Sequence, residues 1–137
     1  MDIKNLKSEF PIFKQKIKNV LNDKSKGVYQ GKIFVEKIAQ KTDAYQLSKA
    51  LIVNDEAEFD AKPELEIYAD DVKCSHGSTS GSIDSDAVHY LMTRGISKKE
   101  AVKLLINGFL NEILENITTS EIKIFLEKIL ERQINGY

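Results

Sequence analysis

Apolar and polar positions change rhythm along this chain near residue 81. From Gly27 to Asp71 the apolar residues come in short bursts: alternating through Ile33 and Val35 in GVYQGKIFVEKIAQ, continuous in KALIVND, alternating again through Leu65 and Ile67 in ELEIYADD. Alternation sends successive side chains to opposite faces, as in a half-buried strand, and Gly, Asn-Asp and Lys-Pro between the bursts read as turns. No helix-period segment separates them. Such spacing fits a meander, part of a sandwich or the coils of a β-solenoid, and periodicity does not choose among these. No exact internal repeat is visible.

After Gly81 the period becomes helical. Asp84 is placed to cap a helix with Ala87, Val88 and Leu91 on its apolar side, and Arg94-Gly95 supplies a cationic end and a left-handed stop. Ser97 and Glu100 form a capping-box pattern before a longer helix with Val102, Leu105, Ile106, Phe109, Leu110, Ile113 and Ile117 on one side. Thr118 and Glu121 repeat that pattern ahead of Ile122, Phe125, Leu126, Ile129 and Leu130. Three amphipathic helices with short turns predict an antiparallel cluster. Upstream, residues 1–26 combine Ser8, Pro11 and the helically spaced Phe13, Ile17, Val20 and Leu21, which predicts a short amphipathic helix or a Lys-rich arm. The expected class is α+β: an arm or helix over 1–26, strands over 27–81, helices over 82–137.

Composition narrows this picture. The 137 residues, 42% hydrophobic and 30% charged, suit one folded chain of ordinary domain size. Its apolar runs fall far short of the roughly 20 residues that cross a bilayer, and the N-terminus lacks a signal-peptide core. A soluble, cytoplasmic protein is expected, with no membrane partner. A single cysteine allows no internal disulfide and fits a reducing compartment. The net charge of −1 hides an asymmetry: residues 1–26 hold seven Lys and three acids, residues 54–71 eight acids and one Lys. Lysines without any Arg on a helix read as a solvated face, so no nucleic-acid partner is expected.

The candidate chemistry lies in Cys74-Ser-His76. In an extended segment residues i and i+2 share a face, so a thiolate and an imidazole could meet one metal. Zinc or iron normally takes three or four protein ligands, whereas the chain offers no other Cys and only His89, on a predicted helix. Glu66, Asp70 and Asp71 could add carboxylates, although acids at a strand end are ordinarily solvated. A metal held here would be shared with another chain. As a nucleophile Cys74 would need a base and an orienting third group, and a Cys and His adjacent on one loop is a weak pattern for a hydrolase. HGSTSGS, before a helix, could receive a phosphate, but it lacks both G-x-x-x-x-G-K-[ST] and G-x-G-x-x-G and reads as a flexible connector.

Three blocks carry a specific resemblance: GKIFVEKIAQKTDAYQLSKALIV, KPELEIYADDVKCSHGSTSGSID and YLMTRGISKKEAVKLLINGF. Together, over roughly residues 20–115, the chain resembles the SufB/SufD family of iron-sulfur cluster assembly proteins, and YADDVKCSHG is most similar to the SufD branch. The resemblance implies a right-handed parallel β-helix ending over 27–80 and a helical C-terminal domain over 82–137. It implies a non-enzymatic assembly factor, with a SufB-like subunit and a SufC-like ABC ATPase as partners. His76, and with it Cys74, would face the SufB-like subunit across a shared site. That site would meet a transient iron-sulfur cluster, with no cofactor stably bound. The helical domain would dock the ATPase, with Gly95, Ile96, Ala101, Leu105 and Phe109 in the docking region; the apolar stripe there also reads as internal core. Family members run to several hundred residues with many upstream coils. The chain therefore corresponds to a fragment, a truncated product or a degraded paralogue, whose first coil would be covered by residues 1–26, pair with a second copy as a homodimer, or aggregate. An interaction module of the same family without cluster-building activity is the alternative.

Overall fold

Alternate strands of the N-terminal part lie in different sheets. In a computed structural model, which describes residues 2–136, β1 (Asp2–Leu6), β3 (Lys26–Val35) and β5 (Glu58–Ile67) form one three-stranded sheet. β2 (Ile12–Leu21), β4 (Asp43–Ile52) and β6 (Lys73–Ser82) form the other. Pairing is parallel, with Asp2 beside Gly31, Ile12 beside Asp43 and Lys26 beside Glu58. Each strand thus pairs with the next but one. The chain lays a strand in one sheet, turns, lays the next in the other, and returns one level further on.

Within the segment 1–26, predicted as a helix or an arm, Asp2–Leu6 and Ile12–Leu21 are strands instead. Register places Phe13, Gln15, Ile17 and Asn19 beside the buried row Ala44, Gln46, Ser48 and Ala50. The inward positions therefore have period two. Because Gln15 and Asn19 are polar, only Phe13, Ile17 and Leu21 remain visible as apolar, and their spacing of four imitates a helical stripe. HGSTSGS, predicted as a connector, belongs to β6. Its Gly, Ser and Thr residues have no alternation of their own, and the edge of β4 supplies the pairing partner.

The interior between the sheets is narrow. Ile33, Val35, Ala39, Ala44 and Ala69 form one buried cluster, with Phe13, Leu65 and Cys74 packed against it. Leu21, Ala50 and Ala57 form a second, with Ile52 and Phe59. Between Ala44 and Ala50, the inward residues of β4 are Gln46 and Ser48, 1% and 0% exposed. Corners also recur: Phe10 and Lys41, at φ 56 and 60, donate their N–H groups to Gln40 (2.9 Å) and Asp71 (2.6 Å) on the next level. Asn22-Asp23 and Asn54-Asp55 occupy matching corners, where Asp23 N–H donates to Asn54 Oδ1 at 3.2 Å. This repeat is too degenerate to find by sequence identity.

Level-to-level pairing brings part of the basic segment against acids of later levels. Lys24 meets Glu56 at 3.2 Å, Lys26 meets Glu58 at 3.0 Å and Asp60 at 3.4 Å, and Lys14 meets Asp43 at 3.6 Å. Each exposed pair contributes little.

Contacts divide the chain into Met1–Gly81 and Ser82–Tyr137. The second unit contains α1 (Ser85–Thr93), α2 (Lys98–Leu114) and α3 (Ser120–Asn135). Asp84 caps α1 by accepting from the N–H groups of Asp86 (2.9 Å) and Ala87 (3.0 Å), and Gly95 at φ 88 makes the left-handed turn after it. Ser97 and Glu100 form the complete capping box. The Thr118–Glu121 box does not form: Thr119 is the N-cap of α3 and its side chain makes no cap hydrogen bond. Both neighbours pack on α2, whose buried residues are Ala101, Ile106 and Leu114. The predicted inner face of α3 is largely outside, with Ile122, Phe125 and Ile129 exposed and Ile134 buried. No helix among the described residues is long and apolar enough to cross a membrane.

Candidate functional site

β6 carries Cys74 and His76 on one strand, but their surroundings differ. Cys74 is half-buried against the cluster containing Ala44, and burial pushes its thiol above its ordinary pKa. A backbone hydrogen bond with Ala44 opposes this shift and the carboxylate of Asp43 reinforces it. Reactive cysteines need the opposite, a stabilised thiolate. Burial and core packing thus favour the neutral thiol of Cys74 over the thiolate. His76 is exposed.

The carboxylates near this segment have other partners. Glu66 is bonded to the ammonium of Lys32 and accepts from Tyr68 Oη at 2.7 Å, and these two contacts hold its carboxyl below the usual range. Asp71 pairs with Lys41 at 3.6 Å. Asp70 is exposed on a corner and His89 lies on α1, in the other unit. Among the described residues no three His, Cys, Asp or Glu side chains are grouped to hold a metal ion. The described residues therefore do not by themselves complete a metal site at His76.

The phosphate reading of HGSTSGS fails on local geometry. The first N–H groups of α1 are occupied by the Asp84 carboxylate, and a resident negative charge repels an anion.

In the helical unit, a groove of about 470 Å³ runs between the α1–α2 turn, α2 and α3. Gly95 and Ile96 line it, together with Leu104, Asn107, Glu131 and Ile134. Lys103 crosses beside them to donate to the Asn135 carbonyl at 3.3 Å, satisfying an end of α3. Of the residues predicted to dock a partner, Gly95 and Ile96 reach this surface. Ala101 is 0% exposed, Leu105 and Phe109 are half-buried, and none of the three lines the groove. Sequence reasoning missed Leu104 and Ile134: Leu104 lies off the apolar stripe of α2 and is exposed, and Ile134 lies beyond the stripe read for α3.

The family profile described as "SUF system FeS cluster assembly, SufBD core domain" matches residues 13–109, most of the chain. The chain belongs to the SufBD family of the SUF iron-sulfur cluster assembly system. It is 42% identical over 106 residues to the iron-sulfur cluster assembly protein SufD of Escherichia coli (strain K12), covering 77% of this chain and 25% of that protein. It is 40% identical to the SufBD family protein slr0076 of Synechocystis (77% and 23% covered). Against SufD of Bacillus subtilis (strain 168) the identity is 35% over 115 residues, with 84% and 26% covered. The chain thus spans about a quarter of the length of these relatives.

Proposed function

We propose that this chain acts as a SufD-like part of an iron-sulfur cluster assembly complex and catalyses no reaction by itself. Its stacked strands are the last coils of a right-handed parallel β-helix. His76 offers an imidazole to a site completed by a SufB-like subunit, where a nascent cluster is a passing cargo. The helical unit docks a SufC-like ABC ATPase through the groove bordered by Gly95 and Ile96, in the cytoplasm.

The observation that carries this reading is the exposed His76 on β6, with no group of three metal-binding side chains among the described residues to hold a metal without help. The names of the relatives favour the same function. Cys74 takes a supporting role, because its raised pKa and core packing disfavour thiolate ligation. The groove favours a second reading, an interaction module that binds the ATPase without building clusters.

Anaerobic reconstitution with a SufB-like and a SufC-like subunit tests both. The complex should form with the His76→Ala chain but accumulate at least about tenfold less cluster chromophore, the usual scale for a lost metal-site partner. Undiminished chromophore would refute the ligand role and leave the docking reading. Failure to bind the SufC-like subunit at all would refute both.

A further inference from the structure

A buried amide beside the last strand lacks a hydrogen-bond partner. Gln46 is 1% exposed; its Nε2 donates to Gln15 Oε1 at 2.9 Å, and its Oε1 has no partner. Gln15 lies one level earlier at the same inward position. Its Oε1 also accepts from Tyr29 Oη at 3.3 Å, so in this arrangement the acceptor end of Gln15 meets the NH₂ of Gln46. With its NH₂ engaged toward the first level, the carbonyl oxygen of Gln46 turns away from that level.

The residue at the equivalent position one level later is His76. Asp43 N–H donates to Pro11 O at 3.0 Å where Ile12 pairs with Asp43; Lys73 N–H donates to Thr42 O at 2.7 Å in the same pattern, which sets Asp43 beside Lys73. Continuing that register puts Cys74 beside Ala44, where the two do pack. It puts Gly77 beside Leu47, and a Cβ on Gly77 would stand 3.3 Å from Leu47 Cδ1. His76 therefore stands beside Gln46. In this structure the His76 side chain is exposed and makes no bond to Gln46 Oε1, but adjacent strands are about 4.8 Å apart, so an inward rotamer of the imidazole would reach the amide oxygen.

We propose that Gln46 is a positioning residue for His76: its buried Oε1 accepts a hydrogen bond from one ring N–H, leaving the other ring nitrogen as an outward-facing lone pair. A neutral imidazole has one donor and one acceptor nitrogen, and the bond made by the first decides which lone pair a metal meets. An unpaired buried carbonyl is costly, which gives the inward rotamer a driving force. The Gln15–Gln46–His76 column is then a hydrogen-bonded ladder through three levels, ending at the surface. Its functional meaning rests on the proposed role of His76 as a metal-facing group; its geometry does not.

The test is long-range ¹H–¹⁵N NMR of the two histidine rings in the full chain at a pH where both are neutral, with exposed His89 as internal reference. A hydrogen bond of ordinary strength shifts a two-state tautomer ratio about fivefold. The His76 ratio should differ from that of His89 by about that factor, and Gln46→Met should return it to the His89 value. An unmoved ratio, as expected if an internal water satisfied Gln46 instead, would overturn the assignment. If Gln46→Met does not fold, ring-to-Gln46 side-chain NOEs in the unaltered chain decide: their presence supports the contact and their absence refutes it. Cluster yield with His76→Ala reports separately on the ligand role. A Gln46-dependent tautomer with undiminished yield would uphold the ladder and sink that role.

Discussion

Met1–Gly81 and Ser82–Tyr137 hold small cores together by opposite means. In the first, partners lie about thirty residues apart, and the interior is made of small and polar groups such as Ala44, Gln46, Ser48 and Ala50. Close stacking and strand pairing compensate for modest apolar volume. In the second, α1 and α2 start on their own local capping signals, while much apolar surface stays uncovered, Phe125 at 63% exposure included. Long-range order with a partly polar interior thus stands beside local order with an incomplete apolar one.

The largest expected effects separate the two units. Ile33 and Ile106 are each 0% exposed, so Ile33→Ala and Ile106→Ala should each cost about 2–5 kcal/mol in denaturant unfolding. Hydrogen exchange should locate the first loss in the strands and the second in α2; exchange rising everywhere in both variants would erase the distinction. Gly31→Ala should cost about 1–3 kcal/mol, because a Cβ there would overlap Tyr29 Oη and stand 2.7 Å from Gln46 Nε2. Adding Tyr29→Phe should recover part of that loss, and a double-mutant cycle with no coupling would contradict it.

In the helical unit Ser97→Ala should cost about 1 kcal/mol, whereas Thr119→Ala should stay within about 0.5 kcal/mol, because only Ser97 makes a cap hydrogen bond. Equal losses in thermal melts would show that the two caps are equivalent. The smallest effect concerns acid stability. Lys32 and then Tyr68 hold the Glu66 carboxyl below its ordinary range. Their contribution is complete above the unfolded carboxylate pKa and disappears as pH falls through the lower folded value. Lys32→Met should flatten the acid side of the melting-temperature profile slightly; an unchanged profile would show that solvent screens the pair fully.

Legibility in the sequence followed the range of the interactions. Asp84, Gly95 and the Ser97–Glu100 box act on backbone groups within a few residues, and each forms as their order in the chain requires. Thr118 competed with Thr119 for one helix start, and local chemistry could not separate adjacent threonines. Ile33, Val35 and Leu65 were legible as strand residues because their inward neighbours are apolar. Gln15 and Asn19 concealed the strand around them, because inward polar residues remove the alternation by which a strand is recognised. At the candidate site, sequence brought Cys74 and His76 together but could not separate a packed thiol from an exposed imidazole.

The sequence by itself determined the α+β division near residue 81, the capped starts of α1 and α2, and the family to which the chain belongs. These depend on neighbouring residues or on matched blocks of residues. Only tertiary structure decided that Asp2–Leu6 and Ile12–Leu21 are strands, that the Ser- and Gly-rich β6 joins a sheet, and that Gln46 stands beside His76. Those outcomes come from backbone pairing between successive levels of the stack. A parallel strand takes its position from a partner one level away, where its own side chains give little information.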